Sequence, residues 1–233
     1  MGGTVDARTL QRMFPRTSAT TPPAPGRVSR QERKQRTRQA LLDAALALLE
    51  ERSFGGLSLR EVAKEAGIVP TAFYRHFATL DELGIALVEQ SMRTLRSMIR
   101  EGRRDPATFT DAIHRSVDIL YTHVRAHESH FRFLARERYS GTGPVQRAIA
   151  TELRLFASEL AVDLGRFDGL TNWTSEDLRM MAELIVTAML GTALDLLAVR
   201  PPSPDADAEI VRTARKRLRL IVLGAVGWRS APD

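Results

Sequence analysis

The sequence contains no cysteine, and this absence excludes disulfide bonds, thiol catalysis and cysteine-ligated zinc. A chain without disulfides is compatible with a reducing cytoplasm. The sequence also has no uninterrupted apolar run of the ~18–20 residues that a membrane-spanning helix needs. Its N-terminus lacks the apolar core of a signal peptide. We therefore expect a cytoplasmic protein with no membrane partner.

Motifs of the common catalytic sites are missing as well. There is no glycine-rich phosphate loop after a strand, no G-x-S-x-G elbow and no H-E-x-x-H helix. His114, Ser116 and Asp118 are the residue types of a nucleophilic triad, but their spacing gives no shared site. We expect no enzymatic activity and no cofactor, and a helical enzyme is the alternative from a different class.

Three histidines have the spacing of zinc ligands on a helix. His123, His127 and His130 are four and three residues apart, which on a continuous helix would put three imidazoles on one face. However, residues 126–129 resemble a junction between two helices, which would break that face. No carboxylate completes a ligand set either, so we expect no bound metal.

Positive charge is concentrated at one end of the chain. The net charge is +6, and residues 1–38 have nine Lys and Arg against two acids, whereas residues 39–233 have 25 against 26. This asymmetry suggests a polyanionic partner at the N-terminal end, and a solubilising tail is the alternative. Residues 1–28 are rich in Pro, Thr, Arg and Gly, so we expect a flexible basic arm there.

No segment of credible length shows the period-two alternation of a strand, so we predict an all-α fold. The composition, 43% hydrophobic and 27% charged, is ordinary for a globular protein. Apolar spacing and breaker residues predict a first helix at 29–52 and two short helices within 58–77. Six longer helices follow, at 80–101, 105–126, 128–138, 144–165, 175–200 and 205–228.

The two short helices have the signals of a helix-turn-helix. Ser58 with Glu61 forms a capping-box pattern at the start of the first helix. Gly67 stands where the chain must turn, since glycine enters the left-handed region at low cost. Pro70 suits the first turn of the second helix, where a missing N–H does no harm.

The second short helix has one apolar and one polar side. Phe73 and Phe77 are four residues apart and would share a buried face, which leaves a small, polar and basic face outward. An arrangement of this kind enters a DNA major groove, whereas the simpler alternative is a helical hairpin without a ligand. We expect base contacts from Thr71, Arg75 and Ala72, and phosphate contacts from Tyr74, His76 and Lys64. The full predicted DNA-binding set is Arg30, Lys34, Ser58, Arg60, Lys64, Pro70, Thr71, Ala72, Tyr74, Arg75 and His76.

These residues also carry a family resemblance. Val62-Ala63, Ala66-Gly67-Ile68 and Phe73-Tyr74-x-His76-Phe77 resemble the signature of TetR-type regulators. The longer runs ERSFGGLSLREVAKEAG, PTAFYRHF and FRFLARERYSG resemble one branch, the unsaturated fatty acid biosynthesis repressors FabR and DesT. The resemblance implies a homodimeric transcriptional repressor that binds a palindromic operator in double-stranded DNA. This sequence departs from the family pattern at Val69, where many members have a capping serine, and at Thr79 or Leu80, where many have a lysine.

The resemblance also implies a division of the chain and an effector. We predict a basic arm at 1–28, a DNA-binding domain at 29–77, a linking helix at 78–101 and a ligand-binding and dimerisation domain at 102–233. The effector implied by the branch is a long-chain acyl thioester of coenzyme A or of a carrier protein. A drug-efflux regulator responding to aromatic or cationic compounds is the alternative.

Two residue sets follow for the second domain. The predicted ligand site is an apolar run with a cationic mouth, formed by Phe131, Phe133, Leu134, Arg132, Arg136 and Arg138; ordinary ion pairs on a helix are the alternative. The predicted dimer interface consists of the apolar stripes Leu184, Ala188, Gly191, Leu194, Leu218, Ile221, Val222 and Ala225, which would fit internal packing equally well.

Overall fold

The computed structural model describes residues 29–102, 109–139 and 143–230, and within these ranges the chain forms helices and no strands. The helices are α1 (Arg30–Leu48), α2 (Leu59–Glu65), α3 (Pro70–Phe73), α4 (Leu80–Gly102), α5 (Phe109–Ala126), α6 (Glu128–Tyr139), α7 (Pro144–Leu164), α8 (Ser175–Ala198) and α9 (Pro204–Gly227), with a 3₁₀ turn at Phe54–Gly56. The all-α prediction is confirmed. The predicted basic arm, residues 1–28, lies outside the described residues.

Most helices begin where the sequence signals predict. Ser29 forms a capping box at the start of α1, since its hydroxyl accepts the amide of Glu32 at 3.1 Å and its amide donates to the Glu32 carboxylate at 2.6 Å. Pro144 and Pro204 occupy the first positions of α7 and α9. These local interactions fix where α1, α7 and α9 begin.

The first helix is shorter than predicted. α1 ends at Leu48 and not at residue 52. The carbonyls of Leu49 and Arg52 instead accept hydrogen bonds from Arg136 of α6, at 2.9 Å for Leu49. A long-range partner therefore replaces the last helical turn.

The second short helix is also brief. α3 has four residues, and the chain continues to His76 as a turn with bonds from the Arg75 amide to Ala72 at 3.2 Å and from the His76 amide to Phe73 at 2.8 Å. These i→i+3 bonds are tighter than those of an α-helix.

The N-terminal helices pack around two aromatic rings. Phe73 and Phe77 are almost fully buried, with ring centroids 5.8 Å apart. The same core includes Leu41 of α1 and Leu87 of α4 and continues into the second domain through Phe133. Through this shared core, α6 packs directly against the N-terminal helices.

The second domain is a helical layer with α8 near its centre. α8 packs against α7 and α9 and buries apolar residues that include Met181, Val186 and Leu196. By length and composition alone, α8 is apolar enough to cross a membrane, which the sequence expectation overlooked. Burial between neighbouring helices is the ordinary reason for such a composition in a core helix.

Candidate DNA-binding interface and effector site

The turn between α2 and α3 has the geometry that its residues predict. Gly67 has a φ of +69°, and the amides of Gly67 and Ile68 bond to the carbonyls of Lys64 (3.0 Å) and Ala63 (2.9 Å). This pattern closes a helix C-terminus and requires a left-handed residue. α3 then begins after Val69, which provides no side-chain cap. Pro70, at the first helical position, supplies the fixed φ that favours the helix start.

The outer side of α3 projects from the surface. Tyr74 is 63% exposed, and its ring meets Phe73 edge-on at 5.9 Å, so buried Phe73 supports it from below. Thr71 and Arg75 are exposed, and Ala72 is half-buried. α3 and the turn that follows it therefore present one threonine, one tyrosine and one arginine outward, above the buried ring of Phe73.

A group of cations surrounds the end of this unit. Burial lowers the pKa of His76, and the positive charges of Lys34, Arg38 and Arg75 lower it further. The Nδ1 atom of His76 is buried without a hydrogen-bond partner. The guanidinium of Arg38 lies 4.6 Å from the ring centroid of Phe77. Four basic side chains, two on α1 and two in the turn after α3, thus lie close together beside the exposed face.

Most of the remaining predicted DNA residues are exposed. Arg30, Arg60 and Lys64 are exposed. Ser58 is exposed too, but its hydroxyl accepts the Glu61 amide at 3.3 Å and its own amide donates to the Glu61 carboxylate at 3.1 Å. The structure therefore places Ser58 as the cap of α2. The sequence also directs Arg38, in the basic run of α1, toward solvent or phosphates, and the structure places its guanidinium over the ring of Phe77.

Hydrogen bonds from α6 hold the second domain against the first. Arg136 donates to the carbonyls of Leu49 and Arg52, beyond the end of α1. The buried carboxylate of Glu137 accepts the Phe54 amide at 2.9 Å. Phe54 also meets the ring of Phe133 at 6.5 Å. We call these contacts the α1–α6 junction.

Two small apolar cavities lie behind this junction. The larger, about 90 Å³, is lined by residues of α4 to α8 that include Phe131, Phe156 and Met189. The smaller, about 50 Å³, adds Leu134 and Arg138. Neither is lined by a carboxylate among the described residues. Most of the lining comes from α7 and α8, which sequence reasoning did not assign to the site.

The predicted ligand residues are therefore divided. Phe131, Leu134 and Arg138 line the cavities, whereas Phe133 belongs to the core shared with the first domain. Arg132 binds Glu128 at 2.7 Å and the Leu197 carbonyl at 3.1 Å. The structure does not bring Arg132 and Arg136 to one mouth with Arg138, because both are occupied by protein partners.

The ion pair at Glu128 accounts for the position of Arg132. Burial alone would raise the pKa of Glu128, but hydrogen bonds from Arg132 and Arg125 lower it below its usual value. Arg125 also holds the buried carboxylate of Asp207 on α9. This network ties α5, α6 and α9 together and leaves Arg132 in a structural role.

The three histidines lie across a helix junction, as their sequence context indicates. The rings of His123 and His127 are stacked at 6.0 Å, and His130 meets His127 edge-on at 6.2 Å. His130 Nδ1 is 2.8 Å from the hydroxyl of Ser91, which itself bonds the Leu87 carbonyl. Within the described ranges, no three His, Asp or Glu side chains are grouped to hold a metal.

The predicted dimer stripes have different environments. On α8, Leu184 and Leu194 are exposed, and Ala188 and Gly191 are half-buried. On α9, Leu218 is buried at 4% exposure and packs with Val117 of α5, and Ile221, Val222 and Ala225 also pack inward. The outward apolar face of α9 instead carries Leu220, Leu223 and Val226.

A short helical unit that exposes a basic face, attached to a helical domain with an apolar cavity, defines a one-component DNA-binding regulator. Residues 41–87 match the bacterial regulatory proteins of the tetR family, and residues 109–219 match the tetracyclin repressor-like C-terminal domain. The chain belongs to the TetR family of transcriptional regulators.

Solved structures support the same fold. A transcriptional regulator from Rhodococcus sp. RHA1 has a TM-score of 0.62 at 22% identity, with 85% of this chain and 99% of that chain covered. FadR from Bacillus subtilis, in complex with stearoyl-CoA, has a TM-score of 0.64 at 18% identity over 80% and 98% of the chains. AibR, in complex with isovaleryl coenzyme A and operator DNA, has a TM-score of 0.60 at 17% identity over 78% and 97%.

Proposed function

We propose that this regulator is a cytoplasmic homodimeric repressor whose affinity for operator DNA changes when a long-chain acyl thioester binds. In this way it controls genes of fatty acid or lipid metabolism. The observation that carries the proposal is the position of α6. One side of α6 lines the apolar cavities, and another holds the DNA-binding domain through Arg136 and Glu137. An occupant of the cavities therefore contacts the helix that is bonded to the end of α1 and to Phe54.

The DNA part of the proposal concerns a two-fold-symmetric operator. Two copies of α3 would enter successive major grooves, about 34–36 Å apart. Thr71, Ala72 and Arg75 would face base edges, and Tyr74, His76 and Lys64 would contact phosphates. The exposure of Tyr74 and Arg75 beside the converging cations supports this division.

The apolar outer faces of α8 and α9 support the homodimer. Leu184 and Leu194 on α8 and Leu220, Leu223 and Val226 on α9 are large apolar side chains with 38–84% exposure. Exposed apolar residues grouped on neighbouring helices mark an association surface. A dimer through this face would pair the two α3 helices.

The character of the cavities favours an acyl chain over a drug. The lining is mainly aliphatic with three aromatic residues, Phe131, Phe156 and Tyr139, and neither cavity is lined by an acid in the described part of the chain. A cationic drug would need a carboxylate in the pocket to stabilise its charge. Two structures of similar fold contain acyl coenzyme A ligands, which agrees with this preference.

DNA recognition is tested by gel shift or fluorescence anisotropy on an operator selected from random duplexes. Arg75→Ala should cost about 1–3 kcal/mol and relax the preference at one base pair per half-site. Arg93→Ala is the matched control, because Arg93 is an exposed arginine on α4 that pairs with Glu89 at 3.7 Å, outside the α2–α3 unit. Equal affinities of wild type and Arg75→Ala would reject the assignment of α3.

Effector binding is tested by calorimetry with saturated fatty acids of increasing length. Each buried methylene contributes about 0.8 kcal/mol, so affinity should rise steeply until the space is full. Native mass spectrometry of protein purified from its own host would identify the acyl species. A flat response to chain length would reject the acyl proposal and favour the drug-efflux alternative.

A further inference from the structure

A surface groove of about 570 Å³ runs between α7 and α8 and begins at the end of α6. Arg138, Arg147 and Arg154 line it, together with one carboxylate, Glu183. Glu183 has a cationic neighbour on its own helix, Arg179, at 3.9 Å. The groove therefore has a surplus of positive charge at the side formed by α6 and α7.

The arginines of α7 are placed to act together. Arg147 and Arg154 are exposed and seven residues apart, so they lie two turns apart on the same face of α7. Arg154 makes a 3.2 Å contact to the Thr151 hydroxyl, and neither arginine is engaged by a carboxylate in the ion pairs of the described chain. Their guanidinium groups are available to a ligand with bidentate anionic oxygens.

Arg138 supplies a separate indication of a ligand. Its Nη1 atom is buried and has no hydrogen-bond partner. Its backbone carbonyl accepts Gln146 Nε2 at 3.0 Å, which ties the end of α6 to the first turn of α7. A buried guanidinium nitrogen without a partner carries a desolvation cost, which an anionic oxygen in the groove would relieve.

The first turn of α7 adds to the positive potential. Gly143 at its N-cap offers no side-chain acceptor, so the helix start lacks a side-chain cap. Unpaired amides at a helix N-terminus favour an anion. Gln146 and Arg147 of this turn line the groove, which places the positive helix end beside the arginines.

The groove adjoins the apolar cavities. Leu153 and Leu190 line all three spaces, and Arg138 lines both the groove and the smaller cavity. A molecule with an apolar tail inside and an anionic head outside would pass between these side chains. Fatty acid alone would leave most of the groove unused.

We infer that this groove binds the phosphate-bearing headgroup of the effector, a phosphopantetheine thioester, through Arg138, Arg147 and Arg154. The inference rests on the proposed function, because the acyl chain occupies the cavities proposed there. It moves the cationic mouth from Arg132 and Arg136, which hold protein groups, to α7. It also implies that the protein distinguishes an activated acyl chain from the free acid.

The test measures binding of palmitoyl-CoA, palmitate and free coenzyme A by calorimetry. The variants are the double substitution Arg147→Gln/Arg154→Gln, the single substitution Arg138→Gln, and Arg166→Gln as a control. Arg166 is an exposed arginine just past the C-terminal end of α7 and outside the groove. Glutamine keeps the helix propensity close to that of arginine. Circular dichroism confirms that each variant is folded.

The wild type should bind palmitoyl-CoA at least tenfold more tightly than palmitate. The double variant should lose at least tenfold in affinity for palmitoyl-CoA and less than twofold for palmitate, since charge-assisted hydrogen bonds are removed only from the headgroup. Arg138→Gln should act in the same direction, and Arg166→Gln should change neither ligand. The phosphopantetheine could come from coenzyme A or from an acyl carrier protein. Binding of palmitoyl-CoA and of palmitoyl carrier protein is therefore compared, and the tighter of the two is taken as the natural ligand.

Two results would overturn the inference. If palmitate and palmitoyl-CoA bind the wild type equally, or the double variant weakens both ligands alike, the groove has no headgroup role while the acyl effector remains. If neither ligand binds, the proposed effector class is wrong and the groove assignment falls with it.

Discussion

Gly84 lies where α4 passes both the first domain and α7, and its substitution tests the packing at this crossing. A Cβ atom at Gly84 would stand 2.4 and 2.7 Å from two ring carbons of Phe54 and 2.7 Å from Cγ2 of Val145. Both neighbours are buried, at 7% and 4% exposure. Both side chains belong to the packed core, so Gly84→Ala must displace them or shift a helix.

Two opposing contributions set the magnitude. Overpacking of a core costs about 1–3 kcal/mol, and three sub-contact distances from two directions place Gly84→Ala at the upper end. Replacing glycine by alanine within a helix gains up to about 1 kcal/mol. The expected net loss is about 2 kcal/mol of unfolding free energy, which for a chain of this length lowers Tm by about 4–8 °C.

The assay is thermal and urea unfolding followed by circular dichroism at one fixed protein concentration, since association changes the apparent stability. A compensating substitution, Phe54→Leu, makes the result specific. The double variant should be more stable than the sum of the single effects predicts by at least about 0.5 kcal/mol, because the shorter side chain vacates the contested space. A Tm for Gly84→Ala at or above that of the wild type would refute this account of the crossing.

Three further predictions concern titration and assembly. Burial and the charge of its neighbour His127 lower the pKa of His130 in the folded protein. The unfolded chain therefore binds a proton at a higher pH than the folded protein does, and the free energy of unfolding should fall as pH drops below about 6.5. His130→Gln should flatten this dependence in Tm measured from pH 5 to 8. A DNA phosphate beside His76 would raise its lowered pKa, so operator affinity should increase as pH falls from 8 to 6, and His76→Asn should abolish the change in anisotropy titrations. Leu184→Glu with Leu223→Glu should convert a dimer to a monomer in sedimentation, since both side chains are exposed apolar groups on the outer face; an unchanged dimer would place the interface elsewhere.

The helix-turn-helix was predictable because its signals are local. Ser58, Gly67 and Pro70 act within a few residues of their own positions, and each does what its residue type predicts. Phe73 and Phe77 were recognisable as the buried face for the same reason, since four-residue spacing fixes a helical side. No knowledge of the second domain was needed for this part.

The ligand site was less predictable because its residues depend on neighbours distant in sequence. Arg132, Arg136 and Arg138 are similar in the sequence, yet they contact Glu128, the end of α1 and the groove, respectively. Sequence periodicity shows that α6 has a basic side but not which helix packs against it. Only the fold separates these three roles.

The outer face of α9 shows a related ambiguity. The helix has two apolar stripes, one with Leu218 and Ile221 and another with Leu220 and Leu223. Either could face inward, since both have helical spacing. The packing of Leu218 against α5 decides the phase, and the stripe that sequence reasoning assigned to a partner is largely internal.

The size of the cavities bears on the kind of effector that could control DNA binding. At about 90 and 50 Å³, they are small beside ligand pockets of about 300–1,000 Å³, so a long chain fits only if the helices separate. Moving a two-state equilibrium from 1:99 to 99:1 requires about 5.5 kcal/mol of differential affinity. At about 0.8 kcal/mol per methylene, roughly seven methylenes must be buried in one state and not in the other.

A short branched acyl group cannot supply that number, whereas a long chain can. The chain would act on α6, whose Leu134 and Ala135 face the smaller cavity while Arg136 and Glu137 hold the first domain. Separation of α6 from α7 would then have to strain or release the α1–α6 junction, because the side chains on its two faces belong to consecutive residues of one rigid helix. Whether the effector tightens or releases DNA depends on the distance between the two α3 helices that the separated state favours. This coupling predicts that DNA binding changes only above a threshold chain length, about seven methylenes beyond the shortest ligand that binds.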